Sequence, residues 1–292
     1  MTARRTGGWV VVAIGLGLWA SVAVGDMMAD SPVTFPEKGA LPSPYPPDRH
    51  SKDRETPEQG YYLFGTPERS LEQIAAIQAK MPKGRFTPVP SDWTHLVRTR
   101  RQLTQGGDLH VLALGDSIVN DTMRSAWLAK LAEAYPRVRL RGTVYVRGGG
   151  GCQHYREESR VAKHILPRKP DLVVIGGISQ KDIAGIREVI HQVRAGLPRC
   201  EFLLTTGVFG TADPRAAEEL AKARHSGTGP YGQALKALAK EERCAYLDMT
   251  TPWAEYIRST GLHPHVFYRD RVHANPMGEQ ILSKILMAFF KP

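Results

Sequence analysis

A serine and, far along the chain from it, a closely spaced aspartate and histidine stand where their side chains can do chemistry together. The apolar run Leu109 to Gly115 leads directly into Asp116-Ser117-Ile118 and a helical pattern. That order puts the Ser117 hydroxyl at the carboxyl end of a strand, beside the free N–H groups of a helix start. A serine hydroxyl is inert at neutral pH unless a base takes its proton, and the base needs a carboxylate to fix its tautomer. Asp270-Arg271-Val272-His273, in the loop before the last helical pattern, supplies both roles. The competing reading is that Ser117 only caps a helix, as serine often does. Asp92 and His95 repeat the Asp-x-x-His spacing, but they precede the first strand inside an amphipathic pattern and read as surface structure.

Other residues gather around this pair of motifs. Gly148-Gly149-Gly150-Gly151 follows the second apolar run, and so many glycines are costly in chain entropy unless the backbone must approach a ligand closely. Asn120 and Asp121 lie one helical turn beyond Ser117 and are candidates for lining a substrate pocket. Asp121 reads equally well as a carboxylate complementing the positive helix start. His263 and His265 flank Pro264 without a third ligand at a recognisable spacing, so they read as loop histidines and no metal is expected. Of the cysteines, Cys152, Cys200 and Cys244, none forms a C-x-x-C motif, and Cys152, directly after the glycine run, is a rival nucleophile.

The elements that must hold these residues alternate. Apolar runs at 109 to 115, 140 to 146, 172 to 176, 202 to 207 and 244 to 247 read as strands buried on both faces. Helical patterns lie between them near 119 to 134, 153 to 165, 182 to 196 and 214 to 241, the last in two pieces, and a final one runs from Pro276 to Phe290. Such alternation predicts an α/β fold, a parallel sheet covered by helices on both sides, with its site at the carboxyl ends of the strands.

The rest of the chain bounds the answer. With 292 residues, 42% apolar and 23% charged, it has room for one large domain with additions, and disorder throughout is excluded. Arg4 and Arg5, the apolar run Trp9 to Val24 and the small residues Ala23-Val24-Gly25 predict a signal peptide over 1–25 and a secreted or periplasmic protein, an uncleaved membrane anchor being the alternative. A proline-rich linker is expected over 26–60 and a helical extension over 61–107. In that extension, one helix opens at Thr66-Pro67-Glu68 and another is capped by Ser91-Asp92. The net charge of +10 lacks any Lys/Arg block longer than two residues, so nucleic acid is not expected, and a solvated basic surface or an acidic polymer remains.

Gly115-Asp116-Ser117 after the first strand, the glycine cluster after the second, the glycine motif after the third and Asp270-x-x-His273 together resemble the SGNH/GDSL hydrolases, over residues 108 to 290. The resemblance implies a three-layer α/β/α sandwich with a flavodoxin-like five-stranded parallel sheet. It also implies a serine esterase with Ser117 as nucleophile, His273 as base and Asp270 as its orienting acid, without a cofactor. The family's oxyanion hole would then take the N–H of Ser117, an N–H of Gly149 or Gly150, and an asparagine. The chain departs there: Gly176-Gly177-Ile178 is followed by Ser179 and Gln180, which become the candidate third donors. The expected substrate is an O-acetylated polysaccharide. A lipid or aryl ester, a cysteine hydrolase using Cys152 and a non-catalytic carbohydrate-binding protein are the rivals. In a flavodoxin-like order Cys200 and Cys244 begin neighbouring strands, and a disulfide between them is the candidate bridge, with Cys152 free.

Overall fold

The computed structural model describes residues 69 to 291 apart from 158, 209 to 212, 227 and 271. The expected signal peptide and linker lie outside the described residues. Five parallel strands, β1 (Gly107–Gly115), β2 (Val138–Val146), β3 (Leu172–Ile175), β4 (Glu201–Thr205) and β5 (Ala245–Leu247), form one sheet in the order β2-β1-β3-β4-β5. That is the flavodoxin-like order. Side-chain alternation divides the core. Leu109, Val111 and Ala113 of β1 with Leu172 and Val174 of β3 enter one apolar layer, while Leu112, Leu114, Val173 and Ile175 enter the other. Burial of each such side chain contributes roughly 1.5–3 kcal/mol, so the sheet faces lock the strand register.

The first layer is covered by α3 (Ser117–Arg124), α4 (Trp127–Ala134), α9 (Thr250–Thr260) and α10 (Pro276–Phe289). The second is covered by α5 (Cys152–Tyr155), α6 (Ile183–Gly196) and α8 (Thr228–Glu241), with α7 (Ala217–Ser226) beside α8. Before β1 come α1 (Leu71–Lys80), packed on α10, and α2 (Val97–Gln105).

Several expectations need correction. The helix foreseen at 119 to 134 is two helices, broken at Ala126, which is left-handed at φ 53°, where Gln280 Nε2 donates to the Ser125 carbonyl. The foreseen helix at 153 to 165 is one turn followed by a π turn (Val161–Ile165) and a 3-10 turn (Leu166–Arg168), with Ser159 left-handed at φ 58° between the pieces. β2 is an edge strand whose Arg139, Arg141 and Gly142 are exposed, so it is not buried on both faces. Thr66-Pro67-Glu68 lies outside the described residues; the first described helix begins at Leu71, where Ser70 and Gln73 form a capping box, and Asp92 closes a turn with the Thr94 N–H ahead of α2. No bridge joins the cysteines. Cys200 and Cys244 do precede neighbouring strands, but their thiols donate to different carbonyls, Glu201 O and Glu242 O, and all three cysteines are free. α9 has no counterpart among the expected helices, although its start signals are present: Asp248 accepts the N–H groups of Thr250 and Thr251, and Pro252 sits in the first turn. Among the described residues no helix is long and apolar enough to cross a membrane.

Candidate active site

The end of β1 is crowded by design of its residues. A Cβ on Gly115 would lie 2.6 Å from the Gly176 carbonyl oxygen and 2.5 Å from the Val119 side chain, so glycine lets β1, β3 and α3 converge. Asp116, not Ser117, caps α3: its Oδ1 accepts the Ile118 N–H at 3.0 Å. Its other oxygen crosses to the loop after β3 and accepts the N–H groups of Ile178 at 2.8 Å and Ser179 at 3.0 Å. Gly177, at φ +75°, makes that crossing possible, since a Cβ there would fall 2.0 Å from Asp116 Oδ1. Ser117 is thereby free of capping. Its Oγ lies 2.7 Å from His273 Nε2.

His273 stands in the loop between α9 and α10. Asp270 builds that loop with one oxygen and orients the ring with the other: Oδ1 accepts the N–H groups of Val272 and His273 at 2.8 Å, and Oδ2 lies 2.7 Å from His273 Nδ1. Burial works against a charged imidazole, but the Asp270 hydrogen bond and the negative charges of Asp121 and Asp270 outweigh it, so His273 binds its proton more tightly than an ordinary histidine. Burial likewise opposes ionisation of Asp270, yet its hydrogen bonds and the charge of His273 bring it down to about 2. The chain of contacts from Asp270 through His273 to Ser117 can draw a proton from the serine and hold the resulting imidazolium.

The remaining expected site residues fall into different places. Gly149 and Gly151 take left-handed backbone, at φ +71° and +60°. The N–H groups of Gly150 and Gly151 close a turn onto the Arg147 carbonyl at 3.0 and 3.3 Å, which turns the Gly150 N–H inward. The glycine turn borders an open recess of about 400 Å³ that Arg147, Gln153, His154 and Arg160 also line. Ser179 is fully buried at φ +38°: a Cβ on Gly151 would lie 2.5 Å from its Oγ, which sits beside the Cys152 thiol without a nitrogen or oxygen partner. The Gln180 side chain, like Arg271, lies outside the described residues. Asn120 is buried with its amide nitrogen unpartnered. Asp121 is fully buried and bonds Arg269 Nη2 at 2.7 Å and the Ala274 N–H at 3.0 Å, so it faces the His273 loop. Cys152 is fully buried, and burial pushes its thiol far up, which suits packing better than attack.

His263 and His265 face each other with Nδ1 atoms 2.6 Å apart, and burial lowers His263 to about 4, helped by the charges of His265 and Arg215. Among the described residues no three metal-ligating side chains converge.

No protein-family profile and no curated protein sequence matches the chain. Solved structures do. A catalytic mutant of an acetylxylan esterase from Geobacillus stearothermophilus superposes with a TM-score of 0.51 at 16% identity, over 70% of this chain and 97% of that one. The chain has the SGNH/GDSL hydrolase fold. A two-domain esterase active on acetylated mannans, crystallised with mannopentaose, matches with a TM-score of 0.53 at 14% identity over 68% of this chain and 53% of the other. The catalytic mutants of the Geobacillus enzyme replace a serine, an aspartate and a histidine, the last two in the same Asp-x-x-His spacing as Asp270 and His273.

Proposed function

We propose that the chain is an exported serine ester hydrolase that removes O-acetyl groups from carbohydrate. The observation that carries this reading is the pair of 2.7 Å contacts on the two nitrogens of one imidazole, Ser117 Oγ on Nε2 and Asp270 Oδ2 on Nδ1. In the proposed cycle Ser117 Oγ attacks the ester carbonyl while its proton passes to His273 Nε2. The tetrahedral oxyanion is met by the N–H of Ser117 and an N–H of the glycine loop, Gly149 or Gly150. His273 then gives its proton to the departing sugar oxygen, and a water attacks the acyl-enzyme by the same route in reverse. Asn120, whose amide nitrogen has no hydrogen-bond partner among the described residues, is assigned to an entering substrate group. No cofactor is needed for these steps.

Export rests on the signal pattern at residues 1–25. The carbohydrate assignment draws on structural neighbours that act on acetylated xylan and mannan and on a basic chain suited to a polar, acidic polymer. The test is acetate release from a panel of acetylated polysaccharides, set beside long-chain and aryl esters. Release from one or more polysaccharides that disappears in Ser117→Ala is expected. Turnover confined to long-chain or aryl esters moves the substrate to lipid or aryl esters, and binding without any turnover makes the chain a carbohydrate-binding protein.

A further inference from the structure

A base in an irregular loop needs its backbone fixed before its ring can be aimed. We propose that the buried Asp121–Arg269 pair is a positioning clamp for His273, an inference that rests on the reading of His273 as the base. All four backbone polar groups of His273 and Ala274 are engaged, and the pair supplies most of the partners. The His273 N–H donates to Asp270 Oδ1 at 2.8 Å, and the His273 carbonyl accepts the Arg269 N–H at 3.0 Å. The Ala274 N–H donates to Asp121 Oδ2 at 3.0 Å, and the Ala274 carbonyl accepts Arg269 Nη1 at 2.8 Å. Arg269 Nη2 closes the ring onto Asp121 Oδ1 at 2.7 Å. One planar guanidinium thus spans a helix and the residue after the base, which a lysine cannot do.

Energetics argue for a task beyond stability. A buried ion pair is often no more stabilising than apolar side chains of the same volume, but apolar side chains would leave the Ala274 N–H and carbonyl unpaired. The pair also leans on a second buried carboxylate: Glu279, fully buried in α10, takes Arg124 Nε at 2.9 Å and Arg69 Nε at 3.1 Å and lies 4.0 Å from Arg269. Among the described residues four charged groups bear on the imidazole. Asp270 and Arg269 come from its own loop, Asp121 from α3 and Asp116 from the end of β1. Burial pushes the Asp121 carboxyl up, yet both its oxygens accept from N–H donors, the arrangement of an ionised carboxylate. Its charge favours the imidazolium and that of Arg269 opposes it, so the two halves of the clamp act on the base with opposite sign.

The experiment titrates the His273 ring by NMR in the full chain, wild type against Asp121→Asn, and pairs it with the pH profile of kcat/KM on a small acetyl ester. Asp121→Asn is expected to move the His273 midpoint to lower pH and to cut kcat on the order of a hundredfold with KM nearly unchanged, the loss that a misplaced catalytic group brings. Arg269→Lys keeps the charge but not the fork, and is expected to lower kcat with a smaller displacement of the midpoint. Where a variant does not fold, exchange of the Ala274 amide in the wild type decides: strong protection is expected, and exchange at the rate of an open loop overturns the clamp. An unmoved His273 midpoint with kcat within threefold of wild type also overturns it. Because the ring titration needs no turnover, a moved midpoint in a chain without esterase activity keeps the clamp and rejects the hydrolase reading.

Discussion

The two halves of the proposed catalytic centre are built by different means. The loop between α9 and α10, which carries Asp270 and His273, is held by charge: Asp270, Asp121 and Arg269 engage its backbone through side chains, with Glu279 behind them. The loops after β2 and β3 are held by backbone conformation. Gly149, Gly151, Gly177, Ser179 and Lys181 all sit at positive φ, and the Asp116 carboxylate ties the second loop to β1 through N–H groups. In the proposed mechanism acid–base chemistry depends on ionisable side chains, and oxyanion binding mainly on backbone N–H groups in loops shaped by positive φ.

The largest effects should come from the charged half. Ser117→Ala and His273→Ala are each expected to lower kcat by about a thousandfold or more without unfolding the chain, and Asp270→Asn by less than either, since nucleophile and base act as one unit. Kinetics on a small acetyl ester with circular dichroism on each variant checks both parts. On the backbone side, Gly177→Ala meets Asp116 Oδ1 at 2.0 Å from a left-handed φ of +75°. The expected cost is about 1–3 kcal/mol of stability, measured by urea unfolding, together with a loss of kcat as the Asp116 ties break. A Gly177→Ala variant as stable and active as wild type would show that the loop after β3 is not held as described.

A smaller effect separates the halves by pH. His273 must be neutral to accept the Ser117 proton, and its proton affinity is raised. Activity is therefore expected to fall as pH drops through a midpoint above the ordinary histidine value of about 6.5. Removing the Asp270 charge removes the main raising influence, so Asp270→Asn moves the acid limb downward in the residual activity, whereas Gly177→Ala leaves it in place. Smallest of all is Ser179→Ala. Its hydroxyl lies buried under Gly151 and beside Cys152, so kcat is expected to stay within about threefold, against the hundredfold or more typical of a lost oxyanion donor. A hundredfold loss with unchanged KM would make Ser179 the third donor after all.

The same division explains what could be read from the residues alone. Gly115-Asp116-Ser117 and Asp270-x-x-His273 are short and local, and apart from the edge strand β2 the strand runs betray themselves by burial on both faces, so the parallel sheet was legible, while its order followed only from the family resemblance. The clamp was not, because Asp121 and Arg269 are 148 positions apart and neither carries a local signal of the contact. Asp116 was legible as part of a motif but not as the link to Ile178 and Ser179, which depends on β3 lying next to β1. Ala126 and α9 were hidden for another reason. A buried glutamine from α10 meets the break between α3 and α4, and threonines at the head of α9 mask its start despite Asp248 and Pro252.

The central claim is that Ser117 is a nucleophile activated by His273. A fluorophosphonate probe on the intact protein, with the adduct mapped by mass spectrometry, tests it without knowledge of the natural ester. The account predicts one adduct, on Ser117, lost in His273→Ala and greatly slowed in Asp270→Asn. No adduct, or one that forms equally fast without His273, would contradict it.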